Sequence, residues 1–183
     1  GLVAAISICA HHAQIDLDAG PNGTVDVRGT LVAAGAASGQ TGGTGKVTGG
    51  TVAVKSGANI DASGDAGGGT VLLGGGAHGK GSLAHARRTR IGDATITADA
   101  TTTGNGGNIV VWSDKRTFFD GNLSAKGGST GGNGGNIETS GGSVGLGAHM
   151  HVDALAAKGK TGNWLLEPTD IISLIRDTVE FAG

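Results

Sequence analysis

Leu123-Ser124-Ala125, the glycine-rich stretch Gly127-Gly128-Ser129-Thr130-Gly131-Gly132-Asn133-Gly134-Gly135, and then Asn136-Ile137-Glu138-Thr139 form a unit that recurs along the chain. Its opening, an apolar residue, any residue and then Ala, also occurs as Leu31-Val32-Ala33, Ile60-Asp61-Ala62, Ile96-Thr97-Ala98 and Val152-Asp153-Ala154, with anchors 29, 36, 27 and 29 residues apart. Its close, a polar residue opening an apolar run, returns as Thr70-Val71-Leu72-Leu73, Asn108-Ile109-Val110-Val111 and Asn163-Trp164-Leu165-Leu166. In the last four repeats the two motifs are offset by 11, 13, 14 and 12 residues. The first repeat reads as stretched, with 21 residues between Leu31 and the run Thr51-Val52-Ala53-Val54.

This spacing selects strands. Each apolar run is too short for an amphipathic helix, and it alternates in the way a strand does. Gly and Asn between the runs supply corners with positive φ. A repeat of roughly 27 to 29 residues holding two or three short strands corresponds to one turn of a β-helix plus a loop. One turn cannot bury its own inward face, so successive turns must stack and pair in parallel. The recurrent Ala suits a narrow corner where only a methyl fits. A flat β-roll or a stacked glycine-rich sheet is the competing architecture. The segment Leu2-Val3-Ala4-Ala5-Ile6-Ser7-Ile8 is expected to be a strand, and only Pro168 to Val179 carries a helical pattern.

Composition supports this reading. The 183 residues include 39 glycines, about three times the usual share, but only two prolines and no tyrosine. With aromatics at 3%, the core must be built from Val, Ile, Leu and Ala. The regular β-branched runs exclude a disordered Gly/Ser linker, and the absence of a Gly-X-Y period excludes collagen. A net charge of −2 with interspersed signs gives no footprint for nucleic acid, and no apolar run is long enough to span a membrane. The single cysteine, Cys9, cannot form an intrachain disulfide.

The stretch from Arg90 to Ala100, the segment Gly104 to Asp114, its continuation Phe118 to Gly128 and the closing Gly159-Lys160-Thr161-Gly162-Asn163-Trp164-Leu165-Leu166-Glu167-Pro168-Thr169-Asp170-Ile171 resemble the large filamentous-haemagglutinin-like exoproteins of two-partner secretion. Glu167 stands where that family more often has Asp. The resemblance runs from about Val25 to Ile171. It implies a right-handed parallel β-helix, exported through an outer-membrane barrel transporter and displayed at the cell surface or outside it. It further implies a rod presenting surfaces to host cells, other bacteria or glycans. No clear version of the family's N-terminal secretion domain is visible, and neither is a toxin or other effector domain. The expected organisation is an N-terminal strand segment over 1–24, β-helix repeats over 25–171 and a C-terminal extension over 172–183. Neither end reads as a polar cap, so end-to-end stacking is expected, either with copies of this chain or with more of its parent polypeptide.

Candidate chemistry is sparse. Carbohydrate-active β-helix enzymes cluster acids on one exposed face, whereas the acids here are spread singly. Asp61 and Asp153 share one repeat position and are expected on solvent-facing strand sites. Asp114-Lys115-Arg116 with Asp120 is the one charge constellation resembling a site, and it reads as a loop ion pair. Arg87-Arg88-Thr89-Arg90 reads as a solvated loop. His149-Met150-His151 has a metal-compatible spacing but no third ligand nearby, and His11-His12 beside Cys9 would point to opposite faces. No cofactor or metal is expected. Trp112 and Trp164 occupy comparable repeat positions, either covering the solenoid core or offering a platform to sugars. With Asp114 and Arg116 they make up the candidate contact surface.

Overall fold

In the computed structural model, residues 2–9 and 14–173 are described. They form an all-β solenoid of about six turns with almost no helix. Fifteen strands, numbered in chain order, pair exclusively in parallel and fall into three ladders that share strands. The first ladder stacks β2 (Gln14–Asp18), β4 (Thr44–Thr48), β7 (Thr70–Leu73), β10 (Asn108–Val111), then the first halves of β13 (Asn136–Leu146) and β15 (Asn163–Ser173). The second runs from β1 (Leu2–Cys9) through β3 (Thr24–Val32), β5 (Thr51–Val54), β8 (Arg88–Ile91) and β11 (Arg116–Phe119) to the second halves of β13 and β15. The third joins the ends of β1 and β3 to β6 (Asn59–Asp61), β9 (Thr95–Thr97), β12 (Asn122–Ser124) and β14 (His151–Asp153).

Registry puts like residues on like. In the third ladder Leu31, Ile60, Ile96, Leu123 and Val152 form one inward column, and the recurrent alanines follow it into the corner, with Ala33, Ala62, Ala98 and Ala125 buried. In the first ladder Val71, Ile109 and Ile137 are fully buried, and Phe119 is the largest side chain sealed in the second. Each such aliphatic side chain contributes about 1.5–3 kcal/mol by leaving water. The glycine pair before most of these runs has a steric cause. Gly135 donates to the carbonyl of Ala125 within its own turn, while a methyl on Gly134 would overlap the Ala154 carbonyl of the next. Two backbones meet there with no room for a side chain.

Two sequence expectations need correction. The first repeat is not stretched: its closing run is β4, where Gly45 stands in register with Val71, and β5 belongs to the next ladder. Glycine at that inward site removed the hydrophobic signal. Pro168 to Ser173 is not helical but continues β15, because Pro168 pairs opposite Gly141 on an edge where its missing N–H is tolerated. The remainder of that stretch, 174–179, lies outside the described residues, as do His11 and His12.

The outward positions are tied down by short-range polar contacts. Asp61 accepts the Ser63 N–H at 2.8 Å and the Thr97 hydroxyl at 2.9 Å, and Asp153 accepts the Leu155 N–H at 3.0 Å. Asn108, Asn136 and Asn163 form a ladder of side-chain amides, with bonds of 3.1 and 3.3 Å. These bonds repeat because stacking repeats the geometry that makes them.

Candidate functional site

One junction departs from the repeat. Between β7 and β8 the chain runs through residues 74–87, whereas two residues, 49–50, join β4 to β5. This insertion carries a 3-10 turn, Ala77–Gly79, in which His78 takes a left-handed conformation (φ 54°, ψ 24°). A non-glycine residue pays for that conformation, so surrounding contacts must hold it.

Those contacts lie on the outer face of the first ladder. There Lys46, Leu72, Val110, Glu138 and Leu165 form an outward column, and the insertion folds back over its middle. Glu138 is only 5% exposed as a result. Its two carboxylate oxygens accept the His78 backbone N–H at 2.9 and 3.1 Å. The His78 Nδ1 lies 3.0 Å from Glu167 Oε2, one turn further on. The cavity between insertion and sheet measures about 560 Å³ and is lined by Leu72, His78, Val110, Glu138 and Leu165, with the asparagine ladder along its edge.

Trp112 holds the other end of the insertion. Its ring lies against the backbone of Gly75 and Gly79, where an added Cβ would collide with it. Its indole N–H donates to Asp114 Oδ1 at 3.2 Å, and His85 Nδ1 reaches the same oxygen at 3.0 Å. The His85 and Trp112 rings sit 5.8 Å apart, inclined at 56°. The indole is thus half-buried beneath the loop, and its flat face is occupied by glycine backbone.

Of the residues singled out from the sequence, Trp112 and Asp114 are therefore brought together, with His85 as their unforeseen partner. Arg116 is not part of this group. It is exposed on the second ladder, in register with Arg88. The expected loop ion pair takes a different form: Asp114 pairs with His85, while Asp120, beyond the other end of β11, accepts the His149 N–H at 2.8 Å. Trp164 does not share a repeat position with Trp112. It continues the inward column of Ile109 and Ile137, whereas Trp112 aligns with Ser140 and Glu167. Trp164 remains 38% exposed at the end of the described stack, its indole N–H 3.3 Å from the Thr139 hydroxyl.

Arg87-Arg88-Thr89-Arg90 is also more ordered than expected, since Arg88 to Arg90 lie in β8. Stacking places them beside Lys115 and Arg116, so that five exposed cations share one face. Arg90 lies over the Phe118 ring at 4.3 Å. The two short segments lie 28 positions apart in the chain, and only registry joins them. Among the described residues, one metal-compatible group of three emerges, and it is His78, Glu138 and Glu167 rather than the His149/His151 pair. His149 lies in the turn before β14 and bonds to Asp120 instead.

No family model and no curated protein matches this chain. A solved structure does match. It is the HMW1 secretion domain from Haemophilus influenzae, 29% identical, with a TM-score of 0.59 over 90% of this chain and 45% of that one. The likeness thus falls on a secretion domain, the part that the sequence resemblance left without a clear counterpart, and this chain spans less than half of the matched chain's length. No helix among the described residues is long and apolar enough to cross a membrane.

Proposed function

We propose that this chain is a non-enzymatic segment of a two-partner-secreted surface exoprotein, working as a rod that carries and displays contact surfaces. The observation behind this reading is the joint one: an in-register parallel solenoid that matches a secretion domain over nine-tenths of its length. Such a fold suits export through a narrow barrel. Each emerging turn needs only the previous turn as a template, so folding proceeds by addition and contributes free energy step by step. In this proposal the rod attaches to host cells, other bacteria or glycans outside the cell. Its solvent-facing columns serve for contact, and further solenoid turns or another copy stack on it end to end.

The test has two parts. The chain is placed behind a cleavable signal peptide and expressed with and without an outer-membrane barrel transporter of the two-partner type. Transporter-dependent appearance in the medium is the expected result, and retention in the periplasm in both cases counts against the export reading. The purified chain is then titrated onto epithelial cells and immobilised glycans. Saturable binding is expected of an adhesive segment, and non-saturable or absent binding reduces the reading to a passive fibre.

A further inference from the structure

We propose that His78, Glu138 and Glu167 form a binding site for a divalent transition-metal ion, with zinc the best fit, which fastens the insertion to the wall of the solenoid. The argument begins with Glu138. Its neighbours along the outward column are Val110 and Leu165, and it is 5% exposed. Among the described residues no lysine or arginine forms an ion pair with it, and the His78 backbone N–H donates to both of its oxygens. Buried carboxylates are commonly paired with a cationic side chain or coordinate a metal. Lys80 lines the adjoining cavity, but it pairs with neither Glu138 nor Glu167.

A cation at this place would find ligands. His78 and two carboxylates offer one nitrogen and two oxygens from three separate elements, all within 4.8 Å of one another. Tetrahedral zinc with ligands at about 2.0–2.2 Å requires ligand atoms roughly 3.4 Å apart, so a small side-chain contraction completes the set. A mixed imidazole and carboxylate set suits zinc or its neighbours in the first row better than calcium or magnesium, which favour more oxygen ligands. His78 and Glu167 also line a cavity of about 460 Å³ with Lys80, Trp112 and Asp114, from which water could complete the coordination. The left-handed backbone of His78 serves this arrangement, because it aims both the N–H and the ring of one residue at the two glutamates.

The consequence is structural. A bound ion would link the insertion to two successive turns, so the position of the loop over this outward column would depend on metal. The test compares the chain with E167Q, which alters an exposed ligand, and H78N, which removes the imidazole but keeps a residue tolerant of the left-handed region. Melting of each protein is followed with zinc chloride, with EDTA and with magnesium chloride. At free zinc a hundredfold above its Kd, the melting temperature of the unaltered chain should rise by roughly 5–10 °C, reversibly with EDTA and not with magnesium. Both variants should need at least about tenfold more zinc for the same shift. Cobalt in place of zinc should give visible d–d absorption in the unaltered chain alone. No zinc response, an equal response in all three proteins, or a response lost in only one variant would each overturn the three-ligand site. Because the readouts are melting and absorption, failure here is distinguishable from failure of the export and adhesion assays.

Discussion

Arg88 and Arg116 lie directly opposite one another on adjacent parallel strands, both side chains exposed. Strands in a sheet are about 4.8 Å apart, so two guanidinium groups share one small patch of surface, and like charges in register oppose pairing. The next turn carries Ser143 at the same position, which shows that the site tolerates a small neutral residue. R116S should therefore stabilise the chain at low salt by a few tenths to about 1 kcal/mol. The gain should shrink as added salt screens the repulsion. Denaturant titrations at two ionic strengths would check both points, and a loss of stability at low salt would show that Arg116 is held by an attraction.

Glycine substitutions separate the stacked corners from the open loops. A methyl at Gly134 would overlap the Ala154 carbonyl, whereas one at Gly131 would meet nothing within 4 Å. G134A should cost more than about 2 kcal/mol, while G131A should change stability by no more than about 0.5 kcal/mol. Thermal melts of the two proteins would decide the matter, with equal melting temperatures contradicting the close packing of turns.

The core makes a similar demand. Phe119 is fully enclosed between turns, and F119A leaves a cavity that neighbouring β-strands cannot collapse to fill. A loss of about 3–5 kcal/mol is expected in chemical unfolding. A loss below about 1 kcal/mol would mean that the ring is not enclosed.

How far the sequence revealed these features depends on whether they repeat. The alanine corners, the glycine pairs and the β-branched runs recur in most turns, so one unit explains the others, and the apolar run Leu2 to Ile8 is legible as a strand on its own. Features that occur once were hidden. Gly45 carries no hydrophobic signal at an inward site. Glu138 sits at an outward strand position, and alternation alone assigns it to solvent. Its burial depends on the insertion folding back, a contact between residues 60 apart with no counterpart among the other described turns. His85 and Asp114 met for the same reason. Trp164 was misplaced because its neighbours, rather than the register, suggested its alignment.

Acid should reveal one of the loop contacts. The Asp65 carboxylate is held below its ordinary range, first by the Thr102 side chain and then by the Gly39 N–H, which lies 2.7 Å away. A depressed folded-state value stabilises the chain above the unfolded carboxylate range, and that contribution disappears as pH falls through the folded value. The unaltered chain should exceed D65N in stability near neutrality and converge with it below roughly pH 4. Parallel melting curves across that range would contradict the assignment.

The last described strand supplies the last test. Among the described residues β15 pairs on one side only, with β13, and it leaves Trp164 and Leu165 as two of the most exposed large apolar side chains. An unpaired parallel edge next to an inward-facing indole is a template for a further turn, and in a solution of the purified chain a second copy is the available partner. Natural edges resist this by carrying charge. W164K places an ammonium group on the column that the next turn would have to cover, so it should block stacking while the turns behind it remain folded. Sedimentation velocity at rising concentration should show association of the unaltered chain and a single monomeric species for W164K, with the same strand-rich circular dichroism in both. If the two proteins associate equally, the contact lies elsewhere on the rod. If neither associates, β15 requires its own downstream polypeptide, and the solenoid grows by continuation of one chain rather than by recruiting another.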